Sequence, residues 1–278
     1  MRIKIGDALA EAHKLLDQAG ISAPRLTAEV LLCHALGIEM CYLYAHDDEE
    51  LSELAWIHYG RYLHQRLKGE PTQYITQVQE FYGRPFRVSP DVLIPRPETE
   101  HLIEVALERT PRRGRAIDIG CGSGAIAVTW HLETGCTTAA TDISLEAVQL
   151  ARRNAATLSA GVEFAVCDLA SAFAAARFDL VLSNPPYIPV PEAPNLQREV
   201  RDFEPALALF GGPTGVEIYQ RLIADAARIV KPGGWLVMEI GYQAQDRIQA
   251  MLAASWVEVQ VKQDLAGWPR VVSAQFRP

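Results

Sequence analysis

Two loops of this 278-residue sequence carry the residue types best suited to chemistry. Ser183-Asn184-Pro185-Pro186-Tyr187 follows the run Phe178-Asp179-Leu180-Val181-Leu182, which reads as a short buried strand. Two consecutive prolines lack an N–H and bias their predecessors toward extended backbone, so the chain must leave the sheet here as a stiff segment. It carries uncommitted carbonyls, one side-chain amide and one aromatic ring, which can accept hydrogen bonds and offer a stacking surface. The second loop, Asp118-Ile119-Gly120-Cys121-Gly122-Ser123-Gly124-Ala125, lies between a predicted strand and helix, where glycines let a ligand approach the backbone closely. Asp142 ends the next strand, where it could hold ribose hydroxyls. Cys167-Asp168-Leu169 ends the one after, placing Asp168 for an adenine amino group and Leu169 for its ring face.

The glycine loop alone leaves two cofactors open. Gly120-x-Gly122-x-x-Ala125 satisfies the dinucleotide fingerprint, which keeps an NAD-dependent oxidoreductase as an alternative. Asp118, ahead of the first glycine, favours S-adenosyl-L-methionine: a carboxylate answers that cofactor's ammonium and sulfonium charge and sits poorly beside a pyrophosphate. The tight Gly-x-Gly-x-Gly spacing also suits a small amino-acid moiety.

The elements that must position these residues follow from periodicity. Strands are expected at 115–119, 137–141, 162–167, 178–183, 234–240, 257–263 and 270–276, and helices at 124–134, 144–159, 216–230 and 243–254. Such alternation predicts a mostly parallel sheet covered on both faces. Only a short turn around Gly267-Trp268-Pro269 separates the last two strands, so they must pair antiparallel. Residues 5–69 read as three helices ending before Gly20, Gly37 and Gly69, with Ala8, Ala12, Leu15, Leu16 and Ala19 as the apolar face of the first. Residues 79–88 suggest a hairpin linker. The expected division is 1–76 as a helical substrate-recognition domain, 77–94 as the linker and 95–278 as the cofactor domain. In Leu93-Ile94-Pro95-Arg96-Pro97-Glu98-Thr99-Glu100, Pro97 and the acidic residues fit a helix start, and Arg96 is a further candidate functional residue on a rigid loop.

Bulk properties narrow the partners. The net charge is −8 with a pI near 5.4, and the first 80 residues hold 7 basic and 12 acidic side chains. Stable nucleic-acid binding, which needs a basic surface, is not expected. Five cysteines without a C-x-x-C pair read as reduced thiols, and the seven histidines show no metal-binding spacing. No apolar stretch of eighteen residues or signal peptide stands out, so a cytoplasmic protein without membrane contact is expected.

The ordered combination of Asp118-x-Gly120-x-Gly122-x-Gly124, Asp142, Asp168 and Asn184-Pro185-Pro186-Tyr187 resembles class I S-adenosylmethionine-dependent methyltransferases that modify planar nitrogens. With Leu93 to Glu100, the helical module and Lys262-Gln263-Asp264-Leu265-Ala266-Gly267-Trp268-Pro269-Arg270, the chain resembles the release factor glutamine methyltransferases (PrmC/HemK family) along nearly its whole length. The resemblance implies an α/β fold, a Rossmann-like seven-stranded mixed sheet with a small N-terminal helical domain. It implies methylation of the glutamine amide in the Gly-Gly-Gln motif of class 1 peptide chain release factors, yielding S-adenosyl-L-homocysteine. The cofactor set would be Asp118, Ile119, Gly120, Cys121, Gly122, Ser123, Gly124, Asp142, Asp168, Leu169 and Asn184. Asn184, Pro185, Pro186 and Tyr187 would bind the substrate. There the Asn184 oxygen and the Pro185 carbonyl would accept the two amide N–H groups while Tyr187 stacks on the amide plane. Cys121 stands where threonine is common, and Thr214, in Gly211-Gly212-Pro213-Thr214-Gly215, where an acidic residue is frequent. Ribosomal-protein glutamine methyltransferases and adenine-N6 nucleic-acid methyltransferases use the same loop type and remain alternatives.

Overall fold

A computed structural model describes residues 3–110 and 114–278 of the chain. Its elements in order are α1 (Ile5–Gln18), α2 (Pro24–Leu36), α3 (Met40–Ala45), α4 (Glu53–Leu67), α5 (Thr72–Thr76), β1 (Val78–Phe81), β2 (Arg84–Arg87), α6 (Glu100–Arg109), β3 (Arg115–Ile119), α7 (Ala125–Thr134), β4 (Thr137–Asp142), α8 (Leu145–Thr157), β5 (Val162–Val166), β6 (Phe178–Ser183), β7 (Ile188–Pro189), α9 (Arg198–Phe203), α10 (Ala206–Leu209), β8 (Phe210–Gly212), α11 (Glu217–Ile229), β9 (Val230–Glu239), α12 (Gln245–Leu252), β10 (Trp256–Gln263) and β11 (Pro269–Phe276).

The chain forms two units. The first comprises Met1–Gln77 and Gln197–Phe203, the second Val78–Leu196 and Glu204–Pro278. In the first, α1 buries Ile5, Ala8, Ala12 and Leu16 against Leu31 and Leu32 of α2. Leu15 and Ala19, expected on that face, are exposed. The helix buries a narrow stripe spaced three and four residues apart; Leu15 falls beside it, and Ala19 lies past the last helical residue, Gln18. Helix α9 belongs to this unit through Glu199, which receives a 2.5 Å ion pair from the buried Arg66 of α4. The β1–β2 hairpin, expected as a linker, sends Phe81 and Phe86 into the core of the second unit.

The second unit is built on a seven-stranded sheet ordered β10-β11-β9-β6-β3-β4-β5. β9, β6, β3, β4 and β5 run parallel, while β11 is antiparallel to both its neighbours. The central strands are apolar on both faces, as burial beneath helices on each side requires. Along β6, Val181 faces one core with Ile117, Leu222 and Ile229, whereas Leu180 and Leu182 face the other with Leu102, Val128 and Trp130. From β3 the chain steps outward through β4 and β5, then crosses back to place β6 on the other flank of β3. That reversal opens a crevice at the carboxyl ends of β3 and β6, the place where open α/β sheets take ligands.

Candidate active site

The loops leaving β3, β4, β5 and β6 converge on a cavity of about 440 Å³, within the size range of a cofactor pocket (roughly 300–1,000 Å³). Ile119, Gly120, Cys121, Gly122 and Ser123 line one wall; Asp142, Asp168 and Leu169 lie along it. Asn184, Pro185 and Pro186 form the opposite wall with Thr99 and Arg96. Asp118, Gly124 and Tyr187 do not line the cavity.

The glycine wall is shaped largely by its own backbone. The N–H groups of Gly120 and Cys121 both donate to the Thr141 carbonyl (2.9 and 2.8 Å), and Gly124 N–H donates to the Cys121 carbonyl (2.7 Å). Gly122 N–H donates to Asp142 Oδ2 and Ser144 N–H to Asp142 Oδ1, each at 2.9 Å. Burial raises the Asp142 carboxyl above its ordinary value, and these backbone donors counter the shift. Gly124 has φ +83° and its Cα lies so near α8 that a Cβ would sit 3.0 Å from the Ala151 methyl. Only glycine combines that backbone with that approach. Four loop amides are thus committed within the protein.

Asp118 stands behind this wall, fully buried. Its Oδ2 accepts from Ala127 N–H at 3.1 Å, pinning the first turn of α7. Its Oδ1 has no partner among the described residues. Burial, with Asp142 adding like charge, pushes this carboxyl up to about 8, so it carries a proton at neutral pH unless a cation comes near. Asp168, exposed at the rim, pairs with Arg221 of α11. Leu169 holds a left-handed backbone (φ +49°), uncommon for a branched residue.

The opposite wall is assembled from distant residues. Ser183 Oγ donates to the Ile119 carbonyl (2.6 Å), tying the end of β6 to that of β3 just before the loop departs. Asn184 Nδ2 donates to Thr99 Oγ1 (3.2 Å), and Thr99 Oγ1 donates to Glu239 Oε2 (2.6 Å). Thr99 is 4% exposed and Glu239 2%. The Tyr187 hydroxyl donates to Glu239 Oε1 at 3.3 Å. A partly buried phenol finds such a partner; Tyr187, expected to stack on the substrate amide, does not line the cavity. The Arg270 guanidinium lies 3.9 Å from Glu239 and is held by Asp264 at 2.9 Å. Burial raises the Glu239 carboxyl, while Thr99, Arg270 and Tyr187 act against that shift.

Gly211 and Gly215 brace the Pro-Pro loop from behind. A Cβ on Gly211 would lie 2.6 Å from the Pro186 carbonyl, and one on Gly215 would collide with the Tyr187 carbonyl. Thr214 keeps this brace in shape: its N–H and hydroxyl both donate to Glu217 at 3.0 Å, and Arg247 donates to its hydroxyl. Arg96 donates to Glu204 Oε1 at 2.5 Å, and Glu204 also accepts from Ile94 N–H (3.4 Å). Neither Thr99 nor Glu239 is among the site residues the sequence marks. A carboxylate closing the apolar run Trp235-Leu236-Val237-Met238 is the signal that could have marked it.

The model of the PrmC N-terminal domain matches residues 7–76, and that of the methyltransferase small domain residues 98–195. A methyltransferase structure from Pyrococcus furiosus superposes with a TM-score of 0.55 at 18% identity, covering 71% of this chain and 91% of its own. That likeness shows the fold, a class I methyltransferase sheet. A release factor glutamine methyltransferase of Nitratidesulfovibrio vulgaris is 42% identical, with 96% of this chain and 93% of the relative covered. One of Koribacter versatilis is 48% identical over 269 residues, 95% of this chain and 96% of the relative. With that identity sustained across both units, the chain belongs to the release factor glutamine methyltransferase family.

Proposed function

We propose that this protein uses S-adenosyl-L-methionine to methylate the side-chain amide nitrogen of the Gly-Gly-Gln glutamine in class 1 peptide chain release factors. One observation carries the reading: Asn184 is held by its nitrogen, which leaves its oxygen as the acceptor, and it faces a carboxylate-lined glycine loop across one cavity. The residues present fit the cofactor. Gly120 and Gly122 leave room for it, Asp142 suits its ribose, Asp168 and Leu169 its adenine, and the unpartnered Asp118 Oδ1 supplies negative potential behind the loop for its two positive centres. When bound, the cofactor supplies an electrophilic methyl group.

An amide nitrogen is a weak nucleophile because its lone pair is delocalised into the carbonyl. Asn184 Oδ1 and the Pro185 carbonyl accept its two N–H groups and aim the nitrogen, holding it in line and stabilising positive charge that develops there. Methyl transfer would join the methyl group to this nitrogen, release S-adenosyl-L-homocysteine and pass one amide proton to water. Tyr187 serves by fixing the loop through Glu239. The acidic surface favours a protein partner over nucleic acid.

The test is incubation of the protein with isotopically labelled S-adenosyl-L-methionine and purified release factor, followed by mass mapping of the Gly-Gly-Gln peptide. Label on that glutamine is expected. Label on a ribosomal protein or an oligonucleotide instead, or tight nicotinamide-cofactor binding without methyl transfer, would overturn the reading.

A further inference from the structure

A threonine hydroxyl has one proton, and that count sets the direction of the chain Glu239–Thr99–Asn184. Ionised Glu239 can only accept, so Thr99 spends its proton on Oε2 at 2.6 Å. What remains on Thr99 Oγ1 is a lone pair, so the atom of Asn184 facing it at 3.2 Å must be the N–H and not the carbonyl oxygen. The other carboxylate oxygen is fixed as firmly: Oε1 accepts from the Tyr187 hydroxyl and faces Arg270. Arg270 at 3.9 Å and the hydroxyls of Thr99 and Tyr187 oppose the burial that raises the Glu239 carboxyl and favour its ionised form at 2% exposure, where an unpaired charge would be prohibitive.

We infer that Glu239 is a positioning residue that acts through Thr99 to hold the Asn184 amide in one of its two nearly isosteric orientations, oxygen toward the substrate nitrogen. The inference rests on the amide-methylation reading above. A flipped Asn184 would present NH2 to the substrate's own NH2, donor against donor. Polarity, beyond shape, is what the relay supplies.

Polarity can be reversed by isosteric changes. In Glu239→Gln, the amide oxygen stays with Tyr187 and Arg270, so the new NH2 faces Thr99 and donates to it. Thr99 then turns its proton toward Asn184 and favours the flipped amide. In Asn184→Asp, a carboxylate oxygen faces the Thr99 lone pair while Thr99 still donates to Glu239. Combining the two restores a consistent chain. The amide introduced at position 239 donates to Thr99, and Thr99 donates to one oxygen of the carboxylate introduced at position 184. The second oxygen of that carboxylate accepts the substrate N–H.

The experiment measures kcat at saturating cofactor, with thermal unfolding as the folding control. Each single variant is expected to lose at least tenfold in kcat, and the Asn184→Asp/Glu239→Gln double variant to regain at least tenfold over Asn184→Asp. A double variant no faster than Asn184→Asp overturns the relay, as does either single variant within twofold of wild type. The wild-type NMR reading needs no substitution at Glu239, so the test survives a misfolded Glu239→Gln protein. Nitrogen-15 NMR of the Asn184 side chain separates this inference from the function it rests on. One slowly exchanging amide proton in wild type that becomes fast in Glu239→Gln supports the relay even if no glutamine is methylated. Two equally fast protons in wild type reject the relay even if methylation is found.

Discussion

The glycine-loop wall of the cavity is written in short contiguous stretches, whereas the Asn184 wall gathers Thr99, Asn184 and Glu239 from positions up to 140 residues apart. The first is held by backbone: Gly120, Cys121 and Gly124 donate to carbonyls of their own or the next strand's end. The second is held by side chains that end on a buried carboxylate. Backbone geometry tolerates side-chain change. A side-chain chain does not, because each proton in it is committed.

If the walls have separate duties, Asn184→Ala should give the largest effect, a fall in turnover on the order of a hundredfold, as loss of one preorganised polar partner typically does. Cofactor affinity by calorimetry should hold, and a matching loss of affinity would show that the walls are not independent. Gly211→Ala should come next. Its Cβ would press on the Pro186 carbonyl from 2.6 Å and shift the loop, costing roughly thirtyfold in turnover, short of the ~100-fold attached to a 1 Å misplacement. Steady-state kinetics indistinguishable from wild type would show that Gly211 does not brace the loop.

Asp142→Ala probes the other wall. Losing a carboxylate that takes two backbone N–H groups should weaken cofactor binding roughly tenfold, the scale of a charge-assisted hydrogen bond, with kcat at saturation little changed. Unaltered affinity would remove the ribose assignment.

The last expected effect is on pH dependence, read in stability and not in catalysis. Burial holds Asp118 at about 8, against its ordinary 3.8. Between those values the folded protein keeps a proton that the unfolded chain has released, so this group's contribution to stability is full below pH 3.8 and falls as pH rises to about 8. The slope is at most about 1.4 kcal/mol per pH unit. Asp118→Asn should remove it, making the Tm of the variant gain on wild type from about pH 5 to about pH 8. Parallel Tm profiles would mean that Asp118 is already ionised.

Much of this is legible in the residues alone. The strands read at 115–119 and 178–183 coincide with β3 and β6, because a strand buried on both faces is a nearly continuous apolar run. Tyr187 is harder: its place after Asn184-Pro185-Pro186 suggests a ring facing the substrate, and Glu239 turns its hydroxyl elsewhere. Helix α9 is harder still, since the six residues from Arg198 give no local sign that Glu199 pairs with Arg66.

By itself, then, the sequence determined the order of strands and helices, the glycine loop and the Asn-Pro-Pro-Tyr exit, because periodicity, ring closure and missing N–H groups act between neighbours along the chain. Only the tertiary structure decided which way Asn184 points. Its Nδ2 donates to Thr99, whose hydroxyl donates to Glu239, and these residues come together because the sheet order reverses between β3 and β6 and brings the end of β9 alongside.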